Sequence, residues 1–139
     1  MKKLAIIGSV IFIFLLLIWA LPITILNNDN LGKGYYYLSK DDAIDVGYPE
    51  RGGIIYKSKR KYHYDSILVH KNVLSVDNNN EFIVALQDTG SGKKYDDHNN
   101  ILYYIIDKEN NLMYGPLSKK DYINKRILLK IPDGIDVYR

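Results

Sequence analysis

The sequence contains no cysteine, and this absence excludes several kinds of protein at once. A chain of 139 residues without cysteine has no disulfide scaffold, no cysteine-ligated metal site and no lipid-modified cysteine. The chain is 47% hydrophobic and 25% charged, which argues against wholesale disorder because enough apolar surface can be buried to offset the ordering entropy. We therefore expect a folded protein that is not attached to a membrane through cysteine.

The sequence also lacks the motifs of common catalytic and metal sites. There is no G-x-S-x-G, and no serine is linked by local context to one of the three histidines. The glycine-rich stretch at 89–94 does not match the phosphate-binding loop motif G-x-x-x-x-G-K-[ST]. When its Gly-Lys pair is aligned with the motif, Gln87 stands in place of the first glycine and Lys94 in place of the Ser or Thr. Residues 77–81 and 96–98 offer oxygen and imidazole groups without the spacing of a calcium loop. We expect no enzyme activity, cofactor or metal, while a catalytic site assembled from distant residues stays open.

Charge is absent from residues 4–26, LAIIGSVIFIFLLLIWALPITIL. Sixteen of these 23 residues are Leu, Ile, Val or Phe. A helix of this length is about 34 Å long, enough to cross a hydrocarbon core of about 30 Å. The run therefore predicts a transmembrane signal-anchor helix. A cleaved secretory signal and a buried helix stay open as alternatives, although the run is longer than a usual signal and offers no small-x-small cleavage site.

The charges that flank this run predict its orientation. Lys2 and Lys3 precede it, and no basic residue follows until Lys33. The positive-inside rule places residues 1–3 in the cytoplasm. We expect a single-pass membrane protein whose C-terminal domain is periplasmic or extracellular.

The residues after the run have the pattern of a small α+β domain, with a polar linker at 27–34 and an exported domain at 35–139. Short β-branched and aromatic runs separated by Gly, Asn, Asp and Pro predict antiparallel strands. The predicted strands cover residues 35–38, 53–56, 66–70 with 73–76 as one bulged strand, 81–87, 101–107, 112–114 and an edge strand at 135–139. We expect one antiparallel sheet of five or six strands, and a solvated loop around Asp41 and Asp42.

One amphipathic helix is predicted near the C-terminus. Ser118 is a good N-cap, and Asp121 places an acidic residue at the third helical position, which is close to a capping box. Pro132 and Gly134 mark the end of the helix. The stripe predicted to pack on the sheet consists of Ile123, Ile127 and Ile131, with Leu128 beside them.

Tyrosine is the aromatic residue that the domain uses freely. All 13 tyrosines follow residue 26, and Phe82 is the only other aromatic residue there. Tyrosine buries a ring while keeping a hydroxyl group for water or a partner, so it serves both half-buried strands and recognition surfaces. Neighbouring tyrosines on a strand must point to opposite faces.

The densest basic stretch lies among these tyrosines, between Tyr56 and Tyr62. It is a candidate surface for an anionic membrane or a cell-envelope polymer, and a solvated hairpin loop is the alternative interpretation. We expect no nucleic-acid partner, because an exported domain would rarely meet one. The candidate surface consists of Tyr56, Lys57, Lys59, Arg60, Lys61, Tyr62 and Tyr64.

Two segments carry a resemblance to a known group of proteins. Residues 73–87, VLSVDNNNEFIVALQ, precede residues 101–133, ILYYIIDKENNLMYGPLSKKDYINKRILLKIPD. Together they resemble an uncharacterised family of small bacterial envelope proteins with an N-terminal lipoprotein signal or a single anchor. The resemblance covers residues 31–135, implies an α+β domain in an exported location, and supplies no catalytic residue.

These observations favour a membrane-anchored, non-enzymatic envelope protein. Its exported, tyrosine-rich domain is expected to bind a protein, an envelope polymer or a lipid surface. An immunity or inhibitor-type protein is the first alternative, and an enzyme with a dispersed site is the second.

Overall fold

The computed structural model describes residues 29–49, 53–90 and 100–138. The apolar run at 4–26 and the stretch at 91–99 lie outside them. Within them the chain is an α+β protein, and none of its helices is long and apolar enough to cross a membrane. The elements are β1 (Asn30–Gly32), β2 (Tyr35–Leu38), α1 (Lys40–Asp45), β3 (Ile54–Lys57), β4 (Ser66–Val69), β5 (Val73–Asn78), β6 (Phe82–Asp88), β7 (Ile101–Asp107), β8 (Leu112–Leu117) and α2 (Lys119–Leu128).

The strands form two antiparallel sheets, whereas the sequence predicts one sheet of five or six strands. The first sheet has the order β1-β2-β3-β4 and the second the order β5-β6-β7-β8. The strand predicted at 66–76 is therefore two strands in different sheets. Lys71 and Asn72 separate them with φ angles of 58° and 50°, which turn the chain instead of bulging it. The side-chain amide of Gln87 holds this turn by donating to the Lys71 carbonyl at 3.0 Å.

Alternation of side chains along the strands produces three apolar clusters. The two sheets pack face to face through the first, to which β2 contributes Tyr35 and β6 contributes Ile83. The outer face of the first sheet meets α1 in a second cluster, Leu38, Ala43, Ile54 and Tyr56. The outer face of the second sheet meets α2 and the C-terminal segment in a third, which includes Val84, Ile105, Tyr122, Ile135 and Val137. The domain thus has four layers, with a helix outside each sheet.

Strand β1 occupies part of the stretch that the sequence assigns to a linker. Leu31 is buried between the sheets, and its carbonyl accepts a hydrogen bond from the Nζ of buried Lys108. The same Nζ donates to the Asn79 carbonyl and to the Asn78 side chain at 3.1 Å. Burial lowers the pKa of Lys108, and the nearby charge of Lys33 lowers it further. This lysine joins β1 of the first sheet to the β5–β6 turn of the second.

Helix α1 replaces the solvated loop expected around Asp41 and Asp42. The Ser39 hydroxyl accepts a hydrogen bond from the Asp42 backbone N–H at 3.1 Å, which caps the first turn. Ala43 is the one buried residue of the helix and packs on the first sheet. The stretch is therefore an ordered cover for this sheet.

Helix α2 has the predicted N-cap and a different packing face. The Ser118 hydroxyl accepts from the Asp121 backbone N–H at 3.2 Å. The buried residue is Tyr122, whose ring stacks on Tyr103 of β7 with centroids 4.9 Å apart. The predicted stripe is wrong, because three of its members are exposed: Ile123 (47%), Ile127 (72%) and Leu128 (71%). The helix therefore packs through the tyrosine, whose large ring favours burial and stacking on Tyr103.

The segment after α2 fills the third cluster without regular structure. Ile131 is buried but lies beyond the end of the helix at Leu128. The edge strand predicted at 135–139 is not present in residues 135–138. Ile135 and Val137 instead point into the core beside β6 and β7.

Candidate binding surface

The candidate surface is built on residues 58–65, which join β3 to β4 and are called the basic loop below. Both of its ends are fixed by hydrogen bonds. The Ser58 backbone N–H donates to the Gly34 carbonyl at 2.9 Å, and the Ser58 hydroxyl donates to Asp65 Oδ2 at 2.9 Å. The Lys59 backbone N–H also points to Asp65 Oδ2, at 3.3 Å. These two donors hold the pKa of Asp65 below its usual value. Asp65 therefore closes the base of the loop as a carboxylate.

The middle of the basic loop is supported from below by Tyr56. Its ring is fully buried in β3, and its hydroxyl accepts a hydrogen bond from the Tyr62 backbone N–H at 3.0 Å. Tyr62 adopts φ 63°, a left-handed conformation that is rare for a bulky residue. The hydrogen bond from the Tyr62 backbone N–H to the Tyr56 hydroxyl stabilises this turn.

Further tyrosines pack around Tyr56. The Tyr36 ring stacks on Tyr56 with centroids 5.3 Å apart, and Tyr64 of the basic loop meets Tyr56 edge-on at 4.9 Å. Tyr48 contacts the other side of Tyr64, also at 4.9 Å. Burial raises the pKa of both Tyr56 and Tyr64. The four rings form a rigid base on which the loop rests.

One lysine of the basic loop is paired with the start of the described chain. Lys61 Nζ lies 2.9 Å from Asp29 Oδ2 and 4.8 Å from the centroid of the Tyr62 ring. The hydrogen bond to Asp29 raises the pKa of Lys61 well above its usual value. The Asp29 carbonyl in turn accepts from the Tyr37 backbone N–H at 2.8 Å. The first described residue is therefore fixed against both β2 and the basic loop.

Three of the candidate residues form the exposed part of the surface. Lys59 and Arg60 are exposed, and their side chains form no ion pair within residues 29–49, 53–90 and 100–138. Tyr62 beside them is 44% exposed. The loop thus presents two exposed cations and an aromatic ring. Such cations favour anions through their charge, and such a ring favours a polar–apolar boundary.

The other predicted residues have different surroundings. Tyr56 is buried, and Tyr64 is half-buried within the ring cluster. Lys57 Nζ lies 4.9 Å from the centroid of the Tyr35 ring on the neighbouring strand β2, and it donates to Asn111 Oδ1 in the β7–β8 turn of the second sheet. Tyr56 and Tyr64 therefore support the surface, and Lys57 lies apart from it.

The polar turn at 77–81, considered above as a calcium loop, uses its side chains to build a hairpin. Asn79 Oδ1 accepts from the backbone N–H groups of Glu81 and Phe82 at 2.9 and 2.7 Å. Asp77 Oδ2 accepts from the Asp136 backbone N–H at 3.0 Å. In the described part of the chain, no three His, Asp or Glu residues come together in a way that could hold a metal ion.

The structure also reveals a surface that the sequence analysis missed. The outward face of α2 borders an open groove of about 360 Å³, whose lining combines Ile123, Ile127 and the Tyr138 ring with the charged residues Arg126, Lys130, Asp133 and Asp136. Arg126 donates to the Tyr122 hydroxyl at 3.0 Å. The sequence did carry a signal for exposure, because Ile127, Leu128 and Leu129 are consecutive and a helix cannot bury all three on one side.

Comparison with known proteins gives one family match. The family model described as "Protein of unknown function (DUF3997)" matches residues 33–138, which include β2 to β8 and both helices. No curated protein and no solved structure matches the chain.

Proposed function

Since the chain belongs to the DUF3997 family of unknown function, we propose a role from its own residues: it is a membrane-anchored protein that acts by binding. In this proposal residues 4–26 span the membrane with the N-terminus in the cytoplasm. The domain lies on the outer side, and the basic loop is its binding surface.

The observation that supports this proposal is the position of Asp29. Asp29 is the third residue after Leu26, where the apolar run ends. An extended chain advances at most about 3.6 Å per residue, so Leu26 lies within about 11 Å of Asp29. Asp29 is itself ion-paired to Lys61 of the basic loop at 2.9 Å. A span ending at Leu26 would therefore hold the basic loop close to the bilayer surface.

The spacing also limits how the domain can move. A long flexible linker would let the domain sample many orientations, but β1 begins at Asn30, and Asp29 is already hydrogen-bonded to β2. Only Asn27 and Asn28 separate the apolar run from the domain. The proposed protein therefore has little slack between the span and the domain, which keeps the basic loop near the membrane.

Fractionation of the full chain tests the anchor. We expect the protein to stay with membranes after an alkaline carbonate wash, and the domain to be cut by protease added outside intact spheroplasts. The Leu15→Lys/Leu17→Lys variant should lose membrane integration, since each lysine at the helix centre costs about 3 kcal/mol.

A matched variant controls for the added charge. Leu74→Lys/Leu112→Lys places the same two substitutions at positions that are each 50% exposed in the domain, and it should fractionate like the unchanged protein. Release of a shorter chain that begins after residue 26 would show that the run is a cleaved signal and would refute the anchor.

A further inference from the structure

We propose that the basic loop binds the anionic phospholipid headgroups of the same membrane that holds the anchor. This inference rests on the proposed function and adds the chemistry of the partner. Three observations carry it: the arrangement of the loop, the state of its cations and the position of the chain that precedes it.

The arrangement of the loop keeps its basic side chains outside. Ser58 and Asp65 close the base, and the Ser58 hydroxyl accepts from the Arg60 backbone N–H at 3.2 Å. The Arg60 carbonyl accepts from the His63 backbone N–H at 3.2 Å, which completes a turn at the tip. Backbone already ordered in this way loses little entropy when it meets a surface.

The cations differ in how far they are neutralised. Lys61 is paired with Asp29, so its charge is largely balanced within the protein. Lys59 and Arg60 are exposed and form no ion pair within the described residues. Each basic residue near an anionic bilayer favours contact by about 1 kcal/mol, or about five-fold. Tyr62 adds a ring of the kind that is enriched at the membrane–water interface.

The position of the preceding chain makes this weak attraction sufficient. A free protein with two unpaired cations would bind vesicles poorly, because the entropy of association outweighs the gain. A span ending at Leu26 would hold the loop within a short distance of the bilayer, so that contact becomes intramolecular. An anionic protein or polymer would receive no such help from the anchor, which is why we favour the lipid.

The test uses the full chain in vesicles of phosphatidylcholine with or without phosphatidylglycerol. The natural chain has no cysteine, so His63→Cys introduces a single attachment point for an environment-sensitive fluorophore at the tip of the loop. Asn124→Cys on α2 is the control position, because it is exposed and belongs to the layer outside the second sheet. A quencher attached to lipid then reports which position touches the bilayer.

We expect quenching at position 63 in vesicles with phosphatidylglycerol, little quenching without it, and none at position 124. Salt at about 1 M, where the Debye length is about 3 Å, should abolish the difference between the two lipids. Lys59→Gln/Arg60→Gln should weaken the contact equilibrium about 25-fold. Lys119→Gln/Lys120→Gln, an equal loss of charge on α2, should leave it unchanged.

Several results would overturn the inference. Equal quenching in both lipids, no effect of Lys59→Gln/Arg60→Gln, or quenching at position 124 alone would each do so. A response to added polyglutamate in neutral vesicles, with none to phosphatidylglycerol, would assign the loop to an acidic polymer or protein instead. Flotation with vesicles distinguishes failure of the anchor from failure of the lipid contact. If the chain floats while position 63 stays in water, the anchor is supported and the lipid contact is refuted. If the chain does not float, both proposals are refuted.

Discussion

Tyrosine performs two different tasks, one in the basic loop and one in the strand that supports it. Tyr56 is buried and uses its hydroxyl to hold the backbone of the loop, whereas Tyr62 exposes its ring beside two cations. Both roles use the amphipathic character of the side chain, a ring that packs and a hydroxyl that remains polar. The shape of the proposed surface therefore depends on Tyr56, a residue that is itself buried.

The sequence identified the cluster of basic and aromatic residues but not the task of each one. Lys57 and Lys59 are two positions apart, yet Lys57 contacts the second sheet and Lys59 faces solvent. That difference is set by the packing of one sheet on the other, which brings Asn111 to Lys57. Local composition does not contain this information.

A buried tyrosine makes the domain less stable as the pH becomes alkaline. Burial, followed by a hydrogen bond with Tyr138, raises the pKa of Tyr103 to about 12. In the unfolded chain the pKa of a tyrosine is about 10. A pKa that is raised on folding stabilises the native state fully below that value, and this contribution is lost as the pH rises from about 10 to 12. We expect the free energy of unfolding to fall over this range and to fall less steeply in Tyr103→Phe. Urea unfolding in detergent, followed by near-ultraviolet circular dichroism, measures both slopes, and identical slopes would contradict the assignment.

At the level of secondary structure, uninterrupted runs of apolar and aromatic residues were predictable. Strands β2 and β7 have the predicted bounds, because side chains on both of their faces are apolar or aromatic. β1 and α1 were missed, because each has only one buried residue, Leu31 and Ala43, and one residue shows no period. The division between β4 and β5 was missed because a polar pair such as Lys71-Asn72 fits either a bulge or a turn.

Helix α2 provides a direct test of which face packs. Tyr122→Ala removes a ring stacked on Tyr103 and should destabilise the protein by about 3–5 kcal/mol. Ile127→Ala changes a side chain that is 72% exposed and should alter stability by less than about 0.5 kcal/mol. Urea unfolding midpoints of the two variants compare them under one condition. A larger loss of stability in Ile127→Ala than in Tyr122→Ala would show that the isoleucine stripe predicted from the sequence packs on the sheet.

At the scale of the whole molecule, the two surfaces belong to different layers. The basic loop extends from the first sheet, and the groove lies beside the helix that covers the second sheet. The residues after 26 include 17 of the 19 Lys and Arg and all 16 Asp and Glu, so the domain is nearly neutral. The proposed attraction to an anionic surface therefore depends on the local placement of Lys59 and Arg60 and not on the overall charge.

In the proposed arrangement the basic loop rests on the membrane that anchors the chain. Photo-crosslinking in native membranes tests this contact, with a photoreactive amino acid at position 62 and the same group at position 127 as the control. We expect a phospholipid adduct at position 62 and none at position 127. A discrete protein adduct at position 62 without lipid would contradict it.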